Sequence, residues 1–167
     1  MLSYHGAFDL NHSIYRMLRL VEHHPEKSLA WDTFRILDYY CLFPHELKQL
    51  SWPRSVQRFK SRFLYEETKY NKISNRRHLF HQLELIENVA ARSLAAKGFI
   101  DADALQLAVL ARTDKPLPTD LEPVVQRNDD AEDALVTFLA QNLSQIPLLG
   151  EKGLKARSGL LEYRYDA

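Results

Sequence analysis

The sequence contains few of the residues on which most catalytic sites depend. Among 167 residues there are one cysteine and five glycines, and the formal net charge is zero. The phosphate-binding patterns GxxxxGK[ST] and GxGxxG are absent, and so is the GxSxG motif of serine nucleophiles. A zero net charge excludes a global field that would drive binding to nucleic acid or anionic lipid. We therefore expect a protein that is not an enzyme.

Secretion and membrane signals are also lacking. No basic-then-apolar leader opens the chain, and no apolar run approaches the roughly 18 residues of a membrane span. The single cysteine, Cys41, has no partner for a disulfide, and its apolar surroundings favour a buried thiol over a nucleophile. The expected location is the cytoplasm, without a membrane partner.

The composition is that of an ordinary globular protein, with 46% hydrophobic and 26% charged residues. A chain of this length fits one domain. We predict a single, mainly α-helical domain over residues 1–167, with five to seven helices. A winged-helix-like core around residues 76–110 is a second possibility.

The most apolar stretch, SLAWDTFRILDYYCLFP (residues 28–44), is predicted to be the central helix. Its apolar residues cover most of the helix circumference, so other helices must enclose it. Ser28 is the predicted N-cap, and Pro44 ends the pattern because it lacks the backbone N–H.

Capping residues and apolar stripes predict further helices along the chain. A helix over residues 9–23 begins at Asp9 or Asn11, and a strong helix begins at Ser74 or Asn75 and ends at Lys97 before Gly98. Shorter helices are predicted over residues 45–50 and 54–65, after Asp101 or Asp103, and after Asp129 and Asp130. Residues 113–130 form an acidic segment with three prolines, which predicts little regular structure.

The tail, residues 148–167, carries a different pattern. Leu161, Tyr163 and Tyr165 alternate with charged residues, which is the period of a β-strand. We predict a short C-terminal β element, either a hairpin or one strand that pairs with a sheet edge. Such a strand could add to a partner protein or pack on its own domain.

Residues 48–77 form a basic segment that has only two carboxylates, Glu66 and Glu67. Phenylalanines and tyrosines alternate with the cations, which could neutralise phosphates and stack on bases. An acidic protein surface and a solvated face with no specific role are equally open alternatives. The cations are Lys48, Arg54, Arg58, Lys60, Arg62, Lys69, Lys72, Arg76 and Arg77.

Two histidine groups have spacings that a metal could use. His78, His81 and Glu84 lie about one turn apart on one predicted helix face, and His5 and His12 flank Asp9. No cysteine or carboxylate cluster completes either group, so we interpret both as polar contacts and predict no metal site.

Three blocks resemble a known family. YHGAFDLNHSIYRMLRL (residues 4–20), FRILDYYCLFP (residues 34–44) and GLKARSGLLEYRYD (residues 153–166) resemble the middle component of ABC-three-component systems. This is the small subunit of bacterial anti-phage and anti-plasmid systems of the Lamassu type. None of the three blocks contains a catalytic motif, and residues 54–147 contain no matching block.

The resemblance implies a non-catalytic adaptor in a hetero-oligomer. Such a subunit would bridge an SMC-like ABC ATPase and an effector, often a nuclease, and would help to restrain the effector until foreign DNA is sensed. It would have no cofactor of its own and would reach DNA through the complex. The rival function is a stand-alone DNA-binding regulator that uses residues 48–77, and an enzyme using His78, His81 and Glu84 ranks third.

Candidate contact residues for partners or DNA come from two segments. The basic segment supplies Arg54, Arg58, Lys60 and Arg62. The tail supplies Arg157, Tyr163, Arg164, Tyr165 and Asp166.

Overall fold

A computed structural model describes residues 6–165, and it confirms the prediction of a mainly helical protein. The described residues share one hydrophobic core. The α-helices are α1 (Leu10–His23), α2 (Trp31–Leu42), α3 (Arg76–Ala96), α4 (Ala102–Gln106), α5 (Glu122–Val125), α6 (Ala131–Gln141) and α7 (Leu154–Ser158). The 3₁₀ helices are η1 (Pro44–Gln49), η2 (Arg54–Phe63) and η3 (Leu143–Gln145), and the strands are β1 (Ser28–Ala30) and β2 (Val109–Ala111).

Helix α2 lies at the centre of the core, as its apolar circumference predicts. Phe34, Ile36, Leu37, Tyr39 and Tyr40 are all fully buried. Pro44 occupies the first turn of η1, which follows α2 directly. The enclosure of α2 by its neighbours is therefore confirmed.

The start of α2 differs from the prediction. Ser28 does not cap the helix, because it belongs to β1, which pairs antiparallel with β2 in the register Leu29 to Leu110. The helix begins at Trp31, whose backbone N–H donates to the carbonyl of Ala108 at 2.8 Å. Pairing with a strand about 80 positions away thus takes the place of a local cap.

Local capping signals set the bounds of the two longest helices. Asp9 accepts a hydrogen bond from the backbone of His12 at the start of α1, and Asn75 accepts one from His78 at the start of α3. After α3, Gly98 adopts a positive φ of 82°, and the N–H of Phe99 donates to the carbonyl of Leu94. Both predicted helices are confirmed, including the glycine stop.

The second half of the chain contains shorter elements. Asp101 caps the five-residue α4, and Asp130 and Asp133 form a capping box at α6. The acidic segment contains only the short α5 as a helix, which agrees with the prediction of little regular structure.

Two predicted β features are absent from the described residues. Residues 76–110 supply α3, α4 and part of β2, but β2 pairs with β1, so no hairpin forms the wing of a winged helix. In the tail, residues 148–165 contain α7 and turns but no strand. Within residues 6–165 the sheet consists of β1 and β2 only, so the tail with its alternating pattern does not pair with it.

Buried charges connect the helices, which the apolar stripes do not predict. Arg16 on α1 pairs with Asp38 on α2 at 2.7 Å, and Arg35 on α2 pairs with Glu87 on α3 at 3.1 Å. Because a buried polar group that loses its hydrogen-bond partner is costly, these contacts fix the positions of α1, α2 and α3 relative to one another.

A third buried pair connects α1 with α6. Arg19 donates to Asp133 at 2.6 Å, and both side chains are almost fully buried. Burial alone would raise the pKa of Asp133, but hydrogen bonds from two backbone N–H groups and from Arg127 and Arg19 outweigh it and lower the pKa. Asp133 is therefore ionised at neutral pH.

Within residues 6–165, none of the helices is long and apolar enough to cross a membrane.

Candidate interaction surface

The core side of the basic segment is aromatic. Trp52, Phe59 and Phe63 surround the ring of Phe138 on α6, with centroid distances of 5.5, 5.2 and 4.8 Å. Val56 is also buried, so η2 is anchored to the core along one side. The three rings pack on Phe138, and the burial of Trp52 and Phe63 leaves those two rings unable to stack on bases as the sequence suggested.

The solvent side of η2 carries four of the predicted contact residues, which we name the cationic ridge: Arg54, Arg58, Lys60 and Arg62. The three arginines are exposed and Lys60 is half-buried. Arg58 and Arg62 lie over the rings of Phe59 and Phe63, at 4.8 and 5.5 Å from the ring centres. Within residues 6–165 no ridge residue forms an ion pair with a carboxylate.

The end of the basic segment has a structural role instead. Arg76 pairs with Glu46 and donates to the carbonyl of Ser158 at 3.0 Å. Arg77 donates to the carbonyl of Gly159, also at 3.0 Å. These two arginines hold the end of α7 against the start of α3.

The predicted tail contacts separate into two groups. Arg157 is half-buried, and its guanidinium donates to the carbonyls of Ser51 at 3.1 Å and Lys152 at 2.5 Å. Its donors are therefore engaged within its own chain. Arg164 and Tyr165 are exposed, with Tyr165 at 90%, and Tyr163 is half-buried. Asp166 lies outside the described residues.

A surface groove brings the basic segment and the tail together. It has a volume of about 600 Å³ and lies between residues 53–55 and the loop of residues 146–153; we name it the tail groove. Arg54 and Arg157, both predicted as contacts, line it from opposite sides. The sequence analysis does not identify four further lining residues, because Gly150 and Gly153 are the only signal of a turn in this loop. These residues are Ile146, Pro147, Leu149 and Lys152.

A second apolar area lies on the outer side of α3. Leu85 and Leu107 are 77% and 80% exposed, and Val89 is 41% exposed. A groove of about 560 Å³ between α3 and α4 is lined by Trp31, Arg92 and Leu105, among others. Leu85 and Val89 are one turn apart on α3, so they present neighbouring apolar side chains to solvent.

The histidine groups hold no evident metal site. His78 and His81 are exposed, while Glu84 lies 3.4 Å from Arg35. Among residues 6–165 no group of three or more His, Cys, Asp or Glu side chains is placed to hold a metal ion. His5 lies outside the described residues.

Cys41 is partly exposed and has no disulfide partner. Burial of the sulfur, with Asp38 nearby, raises the pKa of the thiol well above its usual range. The thiol is therefore protonated at neutral pH and is a poor nucleophile.

Comparison with known proteins gives one family match. A family model described as ABC-three component (ABC-3C) system Middle Component 5 matches residues 2–166. No curated protein and no solved structure gives a significant match.

Proposed function

The chain belongs to the ABC-three-component Middle Component 5 family, and from this premise we propose that it is the adaptor of a three-component defence complex. It bridges an SMC-like ABC ATPase and an effector nuclease, and it helps to restrain the effector until foreign DNA is sensed. The complex is an anti-phage and anti-plasmid system of the Lamassu type. The observation that carries this proposal is the family match, which extends over almost the entire chain.

The surface supports an adaptor. The cationic ridge presents Arg54, Arg58 and Arg62 to solvent, and no carboxylate among residues 6–165 forms an ion pair with them. Elsewhere Leu85 and Leu107 expose apolar area on the outer side of α3 and beside α4. Two chemically different surfaces on one small chain suit binding to two different partners.

The rival function, a stand-alone DNA-binding regulator, has less support. Its best feature was a basic segment with aromatic rings between the cations, but Trp52, Phe59 and Phe63 pack on Phe138, which leaves Tyr70, at 68% exposure, as the ring most open to a base. The remaining cations could contact phosphates, but the total charge of the chain is zero.

Charge reversal of the ridge tests the proposal. We expect the triple variant Arg58→Glu, Lys60→Glu, Arg62→Glu to weaken association with the ATPase or with DNA in the complex by at least about tenfold, because it replaces attraction by repulsion. The measurement is co-purification of the tagged chain with the products of its neighbouring genes. Far-UV circular dichroism checks that the helices are retained.

The matched control is Lys69→Glu, Lys72→Glu, Lys97→Glu, which changes the charge equally at exposed positions outside the ridge. Loss of association only in the ridge variant supports the proposal. Undiminished assembly and DNA binding in the ridge variant would contradict it.

A further inference from the structure

We propose that the tail groove binds a short acidic segment of a partner protein that also carries an apolar side chain. The inference rests on the proposed adaptor function for the identity of the partner, but not for the chemistry of the groove. The groove provides rigid walls, unpaired cations and an exposed apolar floor.

The walls are joined by hydrogen bonds. Arg157 and Ser51 exchange two, from the Ser51 N–H to the Arg157 carbonyl at 2.9 Å and from the Arg157 guanidinium to the Ser51 carbonyl at 3.1 Å. The loop of residues 146–153 is closed by the N–H of Leu154, which donates to Pro147 at 2.8 Å. A site held in this way loses little conformational entropy when a ligand binds.

The charge of the groove is positive. Arg54, Lys152 and Arg157 line it with one carboxylate, Glu151. Within residues 6–165 none of the three cations forms an ion pair, since Arg157 donates only to carbonyl oxygens. Arg54 favours a carboxylate, because a guanidinium matches the geometry of its two oxygens, and Lys152 adds a second exposed cation.

The floor of the groove is apolar. Pro53, Ile146, Pro147 and Leu149 line it, and Leu149 is 48% exposed. A free inorganic anion would leave this area in water, whereas a peptide side chain would cover it. The combination of apolar floor and cationic edge therefore favours an acidic peptide that also carries apolar groups.

Nucleic acid fits the groove less well. The aromatic ring nearest to Arg54 in sequence, that of Trp52, is buried against Phe138 and cannot stack on bases. A phosphate backbone would meet the cations but would leave Leu149 uncovered. We therefore assign the groove to a protein segment, and a DNA probe becomes one arm of the test.

The test uses the full chain and synthetic probes. Amide NMR spectra are recorded during titration with a short peptide of repeating Glu-Leu-Asp-Ser units. In the first control peptide, Gln replaces Glu and Asn replaces Asp. In the second, Ser replaces Leu. The fourth probe is a short double-stranded DNA. We expect shifts at Ser55, Leu149, Gly150 and Lys152 with the acidic, apolar peptide, and roughly tenfold weaker binding with either control peptide.

Two variants locate the binding. Arg54→Glu with Lys152→Glu is expected to weaken peptide binding at least about tenfold, and Leu149→Gln by a few fold. The side chains of Arg54 and Lys152 are both exposed, so the fold does not depend on them. The matched control, Lys69→Glu with Lys72→Glu, reverses the same number of charges in residues outside the groove and should change binding less than twofold.

The outcomes separate this inference from the adaptor proposal. Peptide binding at the groove supports the inference even if the chain fails to assemble with the products of its neighbouring genes. No shifts, shifts elsewhere, or equal binding of the uncharged peptide would overturn it. Preferential binding of the DNA to the same residues would overturn it too, because the occupant would then be nucleic acid.

Discussion

At the scale of single residues, Glu87 is the most unusual side chain. It lies on α3, is fully buried, and accepts a hydrogen bond from Arg35 at 3.1 Å. Burial and the nearby carboxylate of Asp38 raise the pKa of Glu87 to about 8, although Arg35 acts in the opposite direction. Glu87 therefore keeps a proton over much of the neutral range, and this proton is bound more tightly in the folded than in the unfolded chain.

This difference predicts a pH-dependent stability. The contribution of Glu87 to the free energy of unfolding is complete below about pH 4.5, the ordinary pKa, and is lost as the pH rises towards about 8. Glu87→Gln keeps an oxygen for Arg35 but cannot titrate. We expect the stability of this variant relative to the wild type to rise by roughly 1 to 3 kcal/mol between about pH 5 and about pH 8, measured by urea unfolding.

The control is Glu84→Gln, on the same helix and also beside Arg35 but about half exposed. Because this variant retains Glu87, it should still lose the contribution of Glu87 as the pH rises towards about 8. Parallel pH profiles for Glu87→Gln and the wild type would show that Glu87 does not hold its proton.

At the scale of elements, those with local signals could be predicted from the sequence. Asp9, Asn75 and Gly98 mark the ends of α1 and α3 because their capping partners lie within a few residues. The pairing of β1 with β2 could not be predicted, since neither three-residue strand carries a pattern of its own.

The candidate interaction surface could also be predicted only in part. The cations of the ridge stand out in the sequence, but the convergence of their neighbouring rings on Phe138 depends on a helix that follows much later in the chain. The alternation at Leu161 and Tyr163 suggested a strand, yet no sheet edge meets it within the described residues. Arg157 is a predicted partner contact, and the sequence does not show that its guanidinium also holds the tail to Ser51.

Gly153 gives a prediction at this scale. A Cβ atom there would lie 2.6 Å from the carbonyl oxygen of Leu148 and would also clash with that of Leu149. Since these are backbone atoms of a closed loop, they cannot move without breaking its hydrogen bonds. We expect Gly153→Ala to lower the free energy of unfolding by about 1 to 3 kcal/mol in urea titrations.

Gly150→Asn is the comparison for Gly153. Gly150 has a φ of 86° but open space around the position of a Cβ, and asparagine tolerates this conformation better than other residues. We expect Gly150→Asn to lower the free energy of unfolding by no more than about 1 kcal/mol. If Gly153→Ala lowered the free energy of unfolding by no more than Gly150→Asn does, the close approach of the Leu148 and Leu149 carbonyls to Gly153 would be contradicted.

At the scale of the whole molecule, opposite charges are separated although they cancel. The cationic ridge and the tail groove lie together, while exposed Asp114, Asp120 and Glu122 belong to the acidic segment. The acidic segment packs on α1, where the carbonyl of Val125 accepts a hydrogen bond from Arg19. Segments of opposite charge in one small chain can attract partners of different charge.

The adaptor proposal is tested most directly by co-expressing the proposed partners, an ABC ATPase and an effector, with and without the chain. The complexes are purified through a tag on the ATPase, and their masses are measured by native mass spectrometry. We predict that the effector co-purifies with the ATPase only when the chain is present, and that the chain is part of the complex. Equal recovery of an ATPase–effector complex without the chain would contradict the proposal.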